Sequence, residues 1–190
     1  MNKDNEKTAP DDFLLIERCL DGDKEAFAFL VERYQMMVYN IAGKMIGDEE
    51  TARDMAQDSF ISAYLSLKDF RNGSKFSTWL CSIVVNKCRD FLKSNRRMQV
   101  PIDEVEEPAM CLAPSPESEL YRKQCRQHIR AALNTLSLEY REVIILKHME
   151  GLDYREMEKI LQVPVGVLKV RTYRAREKMK DILQKTGVLS

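Results

Sequence analysis

The chain has 190 residues, 44% of them hydrophobic, and its 30 Lys or Arg are balanced by 30 Asp or Glu. That length and apolar content suit two compact domains with small cores and exclude a wholly disordered chain, while zero net charge excludes a uniformly basic binder of nucleic acid. No apolar run approaches the roughly 20 residues of a membrane span and the amino terminus is polar, so a soluble, cytoplasmic protein without membrane insertion is expected.

Residues 1–12 are expected to be a flexible amino terminus. A first helix follows over Phe13–Leu20 and stops at Gly22. Asp23 caps a second helix, which carries Phe27, Leu30, Val31, Tyr34, Val38, Ile41, Ala42 and Met45 on one stripe and ends at Gly47. Asp48 caps a third, with Ala52, Met55, Ala56, Phe60 and Tyr64 expected on its inner face. Asn72-Gly73-Ser74 is a turn signal. Beyond it Ser77 is expected to cap a long helix bearing Leu80, Ile83, Val84, Cys88, Phe91 and Leu92, which ends in the basic run Lys93–Arg97. Residues 13–97 therefore form a first helical domain.

Residues 98–116 contain Pro101, Pro108, Pro114 and Pro116 and no helical stripe, which predicts an extended linker. From Met98 to Leu120 there are six acidic residues and no basic one. Ser115-Pro116-Glu117 then has the order of N-cap, N1 proline and first-turn acid. The helix it opens holds Leu120, Ile129, Ala132, Leu133 and Leu136. Ser137 caps the next, with Tyr140, Val143, Ile144 and Met149, which ends before Gly151. The second domain spans 117–185, followed by a tail over 186–190. No segment alternates as a strand would, so the fold class is all-α, two helical domains joined by an extended acidic linker. Charge is unevenly divided: from Tyr121 to Ser190 fifteen basic residues face eight acidic ones, a net of +7, whereas the first 97 residues net −1. Distinct jobs within one chain follow from that division.

Within the second domain Asp153-Tyr154-Arg155-Glu156 has the form of a capping box. It starts a short helix whose Met157, Ile160 and Leu161 face inward. Gln162-Val163-Pro164 breaks that helix, because proline removes a donor and restrains its predecessor. Val165 to about Gln184 is helical again, and short helix, tight turn and longer basic helix make a helix-turn-helix. Val167, Val170 and Ala175 are expected inside, with Lys169, Arg171, Tyr173, Arg174, Arg176 and Lys178 over the remainder. Those cations can neutralise phosphates or, near the helix start, hydrogen-bond guanine edges. A helical hairpin that binds protein remains a second reading at this point.

The five cysteines (Cys19, Cys81, Cys88, Cys111 and Cys125) are odd in number and lack CxxC spacing, which suits reduced thiols in helix cores. Cys125 and His128 stand at i and i+3, but no second pair completes a four-ligand zinc set, so no metal and no cofactor are expected. An enzyme is not expected either: the chain has no P-loop, no His-rich cluster and no nucleophile–base motif, and two histidines supply little acid–base chemistry near neutrality.

At Gly151-Leu152-Asp153-Tyr154-Arg155-Glu156-Met157, Val163-Pro164-Val165-Gly166-Val167 and Arg174-Ala175-Arg176-Glu177, the sequence resembles region four of the extracytoplasmic-function sigma factors of bacterial RNA polymerase. Region two of the same family is resembled independently, at Asp54-Met55-Ala56-Gln57-Asp58-Ser59-Phe60, Phe70-Arg71, Phe76-Ser77-Thr78-Trp79-Leu80 and Asn86. A regulator that binds DNA without entering polymerase would have no use for this first set.

The resemblance implies a non-enzymatic subunit that binds core RNA polymerase, recognises the minus-ten and minus-thirty-five promoter elements, promotes initiation and is controlled by an anti-sigma factor. It implies that the helix around Asp54, Gln57, Asp58, Phe60 and Ser62 meets the clamp helices of the β′ subunit, and that region four touches the β flap. The loop Phe70, Arg71, Asn72, Gly73, Ser74, Lys75 and Phe76, with Asn86, would capture a base flipped from the minus-ten element. Lys87, Arg89, Lys93, Arg96 and Arg97 would hold phosphates beside it. Lys169, Val170, Tyr173, Arg174 and Arg176 match the minus-thirty-five readers. Leu168 stands where threonine is usual and Val170 where serine is common, which changes the promoter sequence expected. The acidic linker would run through the polymerase channel toward the RNA exit path.

Overall fold

The computed structural model describes residues 11–70, 74–98 and 119–186, with side chains placed except at 95–98, 119–124 and 126. The described residues are helical and contain no strand. The expected linker over 98–116 lies outside them apart from Met98.

Four helices build the first unit: α1 (Asp12–Leu20), α2 (Lys24–Ile46), α3 (Glu49–Leu65) and α4 (Phe76–Met98). Their ends follow from local chemistry. Asp23 accepts from the amides of Glu25 and Ala26 at the start of α2, and Asp48 accepts from Thr51 at the start of α3. Gly47 ends α2 with φ of 87°, a left-handed conformation that glycine adopts without a Cβ penalty. α4 begins two residues earlier than expected: the Trp79 amide donates to the Lys75 carbonyl, so Ser77 lies inside the first turn and is not its cap.

α3 packs through a line of small residues, Ala52, Ala56, Ser59 and Ala63, that lets it lie close to α2 and α4. The Ser59 hydroxyl is satisfied by donating to the Met55 carbonyl at 2.6 Å. The inner face is thus rotated from the one expected. Tyr64 sits at its edge, 40% exposed, with its ring 5.0 Å from that of Phe27.

The second unit comprises α5 (Glu119–Thr135), α6 (Leu138–Ile144), α7 (Tyr154–Leu161) and α8 (Val165–Lys185), with a π-helical turn over Ile145–Met149 after α6. Ser137 occupies the N-cap of α6 through its backbone alone. Leu133, Ile145, Leu146, Met157, Ile160 and Leu168 are fully buried and hold the unit together. Each such side chain contributes about 1.5–3 kcal/mol relative to an exposed one.

The two units are docked, and their buried residues form one connected cluster. α4 packs along α7, and the carboxy-terminal end of α2 meets α5, α6 and the π-helical turn. Polar contacts close the seam. The Arg141 guanidinium donates to the carbonyls of Leu133 and Asn134 at 2.9 and 2.8 Å and, across the seam, to that of Met45 at 2.6 Å. Arg130 donates to the Gly47 carbonyl. Cations thereby satisfy otherwise orphan carbonyls at the ends of two helices. Approach at this point is close: a Cβ on Gly47 would lie 2.8 Å from the side-chain amide of Asn134.

Candidate DNA and polymerase interfaces

The helix-turn-helix is set by its caps. Asp153 accepts from the amides of Arg155 and Glu156, both at 2.8 Å, while Glu156 accepts from the Asp153 amide at 3.0 Å. These bonds hold both carboxyls below their ordinary range; for Glu156 the larger cause is a hydrogen bond from Lys75. Gln162 closes α7 with φ of 54°, and Glu158 accepts from the Val165 amide at 3.1 Å, so the turn is pinned at both ends.

On α8 the buried line is Leu168, Thr172 and Ala175, an i, i+4, i+7 repeat. Val167 and Val170, expected inside, stand about half exposed at 48% and 52%. The register is decided by Leu168, which is fully buried. Lys169, Val170, Tyr173, Arg174 and Arg176 then share the outward face, while Arg171 is held by Glu139 at 3.1 Å. One neighbour escaped the sequence reading. His148, on the π-helical turn, lines a groove with Arg176 and Lys180, and burial together with the charges of Arg176 and Lys147 lowers its pKa. Its position could be found only from the fold, since 28 residues separate it from Arg176.

Between α3 and α4, Phe70, Phe76 and Trp79 stack on one another with ring centroids 5.3 to 5.8 Å apart, and Tyr34 packs on Phe76. Phe76 is only 2% exposed, so it supports the loop from within the core. A cavity of about 220 Å³ opens beside them, lined by Phe70, Ser74 and Phe76 and by Asp12, Phe13 and Ile16 from α1. Arg71, Asn72 and Gly73 lie outside the described residues, as do the side chains of Arg96 and Arg97. Asn86 and Lys93 are exposed and Lys87 is half-buried.

Two cations of this group are engaged. Arg89 forms a bidentate pair with Glu142 at 2.5 and 2.7 Å, and this bond raises the pKa of its guanidinium. Lys75 reaches Glu156 at 2.9 Å, which raises the pKa of the ammonium.

Asp54, Gln57 and Asp58 are exposed on α3, with Phe60 and Ser62 half-buried beside them. Gln57 and Phe60 also line a groove of about 610 Å³ between α2 and α3, which is rimmed by Met36, Ile61 and Leu65 at 65%, 50% and 70% exposure. The sequence reading missed these three apolar residues. Their signal was available: Ile61 and Leu65 continue the outward stripe of Gln57 at helical spacing and fall off the line of small residues.

Cys81 and Cys88 are buried, and burial pushes both thiols up to about 12. Protonated thiols without access to solvent are poor nucleophiles. Among the described residues no group of three His, Cys, Asp or Glu side chains is placed to hold a metal, and no helix is long and apolar enough to cross a membrane.

Comparison with known proteins agrees with both units. Residues 30–98 match the family model for Sigma-70 region 2, and residues 126–179 match that for Sigma-70, region 4. The RNA polymerase sigma-H factor of Pseudomonas aeruginosa is 32% identical over 185 residues, covering 93% of this chain and 96% of that protein. The ECF RNA polymerase sigma-E factor of Escherichia coli K12 is 32% identical over 181 residues, covering 91% and 94%. Among solved structures, CnrH in complex with the cytosolic domain of CnrY superposes with a TM-score of 0.70 at 25% identity, over 92% of this chain and 97% of that one. The sigma factor RpoE in complex with the anti-sigma factor NepR from Bartonella quintana superposes at 0.66 and 25% identity, over 83% and 96%. The class is therefore that of two-region sigma-70 proteins. Within it, the chain belongs to the RNA polymerase sigma factors of the extracytoplasmic-function type, a family of non-enzymatic subunits for transcription initiation.

Proposed function

We propose that this sigma factor divides its work among three surfaces and acts in the cytoplasm, where its template lies. Residues 13–97 serve as region two. The strip Asp54, Gln57 and Asp58, continued by Phe60 and Ser62, binds the β′ clamp helices, and the adjoining groove on α2 and α3 receives apolar side chains from the same partner. The loop from Phe70 to Phe76 with Asn86 takes a base flipped from the minus-ten element, while Lys87, Arg89, Lys93, Arg96 and Arg97 hold nearby phosphates. Residues 98–116 link this unit to region four, residues 117–185. There Lys169, Val170, Tyr173, Arg174 and Arg176 read the minus-thirty-five element, and the same unit touches the β flap. His148 adds a polar contact beside Arg176.

The observation that carries this reading is the outward face of α8. Five residues that match the family's DNA readers stand together on one exposed surface, fixed by the buried line Leu168, Thr172 and Ala175. An anti-sigma factor is proposed as the controlling partner, because the solved neighbours include a sigma factor held by one.

The polymerase surface is tested by replacing Asp54, Gln57 and Asp58 with alanine and measuring capture by purified core polymerase. Retention should fall while helical content stays unchanged. Undiminished capture of the triple variant would remove this strip from the interface.

A further inference from the structure

We propose that Met36 is an oxidation-sensitive site on the polymerase-binding face: a hydroperoxide converts its thioether to the sulfoxide, and the sulfoxide lowers the affinity of the chain for core polymerase. This rests on the polymerase-binding reading of the α2–α3 groove given above.

Exposure singles this residue out. Among the described methionine side chains Met36 is 65% exposed, Met45 and Met157 are fully buried, and Met37, Met55, Met149 and Met179 are half-buried. An oxidant in solution therefore meets the sulfur of Met36 first. Thiols, which often intercept such oxidants, are withdrawn: Cys81 and Cys88 are buried, and burial raises the pKa of Cys19, so none of the three offers a ready thiolate.

Place decides the consequence. Met36 lines the groove of about 610 Å³ whose apolar walls include Val31, Phe60, Ile61 and Leu65. A flexible thioether there fits irregular apolar surfaces of a partner. The same groove carries Gln35, Arg53 and Gln57, all exposed and all able to donate hydrogen bonds. A sulfoxide oxygen is an acceptor. Oxidation thus gives the side chain new partners at the rim and sets a polar group where an apolar surface of the polymerase would be buried.

The chemistry balances with a hydroperoxide as oxidant. A lone pair on Sδ attacks the terminal oxygen of the peroxide, an S–O bond forms as the O–O bond breaks, and the proton on the transferred oxygen passes to the departing one, which leaves as water or an alcohol. Sulfur loses two electrons and the peroxide gains them. Methionine sulfoxide reductases reverse the change, so the site can act as a switch.

The full-length wild type and Met36→Leu would each be treated with hydrogen peroxide, desalted, and titrated against untreated purified core polymerase by biolayer interferometry. Peptide mass spectrometry reads which methionines have gained oxygen. Met36 should oxidise ahead of the other described methionines, and the wild type should then bind about three- to thirtyfold more weakly than before treatment. Incubation with both stereospecific methionine sulfoxide reductases should restore the starting affinity. Met36→Leu should keep its own untreated affinity after the same exposure. The proposal is overturned if Met36 stays reduced while half-buried methionines oxidise, if full oxidation of Met36 leaves the affinity unchanged, or if Met36→Leu loses as much as the wild type. Untreated protein tests the underlying reading separately: no capture of it by core polymerase fails that reading and this proposal with it, whereas capture that peroxide leaves untouched fails this proposal alone.

Discussion

Lys169 lies in the second turn of α8, near the end that a helix-turn-helix offers to the major groove, whereas Arg176 follows about two turns further along. Distance along the helix divides their roles. Lys169→Ala should cost about 1–3 kcal/mol at one position of the minus-thirty-five element, and Arg176→Ala should weaken binding to all sequences and reduce the salt slope by about one counterion. Binding of the reconstituted holoenzyme to a promoter and its single-base variants across a salt series checks both. An equal loss for Lys169→Ala on every variant would leave it only a phosphate contact. Leu168 has the opposite character, since it is fully buried and reads nothing. Leu168→Ala should cost about 2–5 kcal/mol of stability in a denaturant titration, because the cavity it leaves would lie between α8 and the rest of region four.

The elements show why some positions were legible and others were not. Caps announce themselves in sequence because a short polar side chain must meet a free amide: Asp23, Asp48 and the Asp153–Glu156 box are all where their spacing put them. Faces are harder. Valine is apolar wherever it stands, so Val167 and Val170 were assigned inward until Leu168 fixed the register. On α3 the inner line is of small residues, and the larger Tyr64 drew the expected face away from it. The capping box also makes a pH prediction. Glu156 and Asp153 have folded-state pKa values below their unfolded ones, so their stabilisation is complete above the unfolded carboxylate range and is lost as pH falls through the folded values. Thermal melts between about pH 6 and pH 2 should show the wild type losing more stability on acidification than Glu156→Gln. Parallel curves would mean that Glu156 contributes nothing to the folded state. Within α4, Asn86→Ala should impair promoter melting more than recruitment, read as minus-ten thymine reactivity to permanganate set against closed-complex binding. Equal losses in both would place Asn86 outside the base pocket.

At the scale of the whole molecule, both units and their family were readable because each carries its own local motifs. Their docking was not. Arg89 and Glu142 are 53 residues apart, and Lys44 and Glu150 are 106 apart, with no periodicity connecting them. The sequence showed Arg89 as one of several basic residues on a helix; only the fold reveals that a buried carboxylate already occupies it. Removing one member of such a pair is costly, since it strands the other, which makes the pair a better determinant of arrangement than of net stability. The account stands on the chain's action as an initiation subunit, and run-off transcription with purified core polymerase on a library of promoters tests that most directly. Transcripts should appear only when this chain is added, and should start at templates sharing paired minus-ten and minus-thirty-five elements. Binding to DNA with no transcript from any template would contradict the account and leave a regulator that works without polymerase.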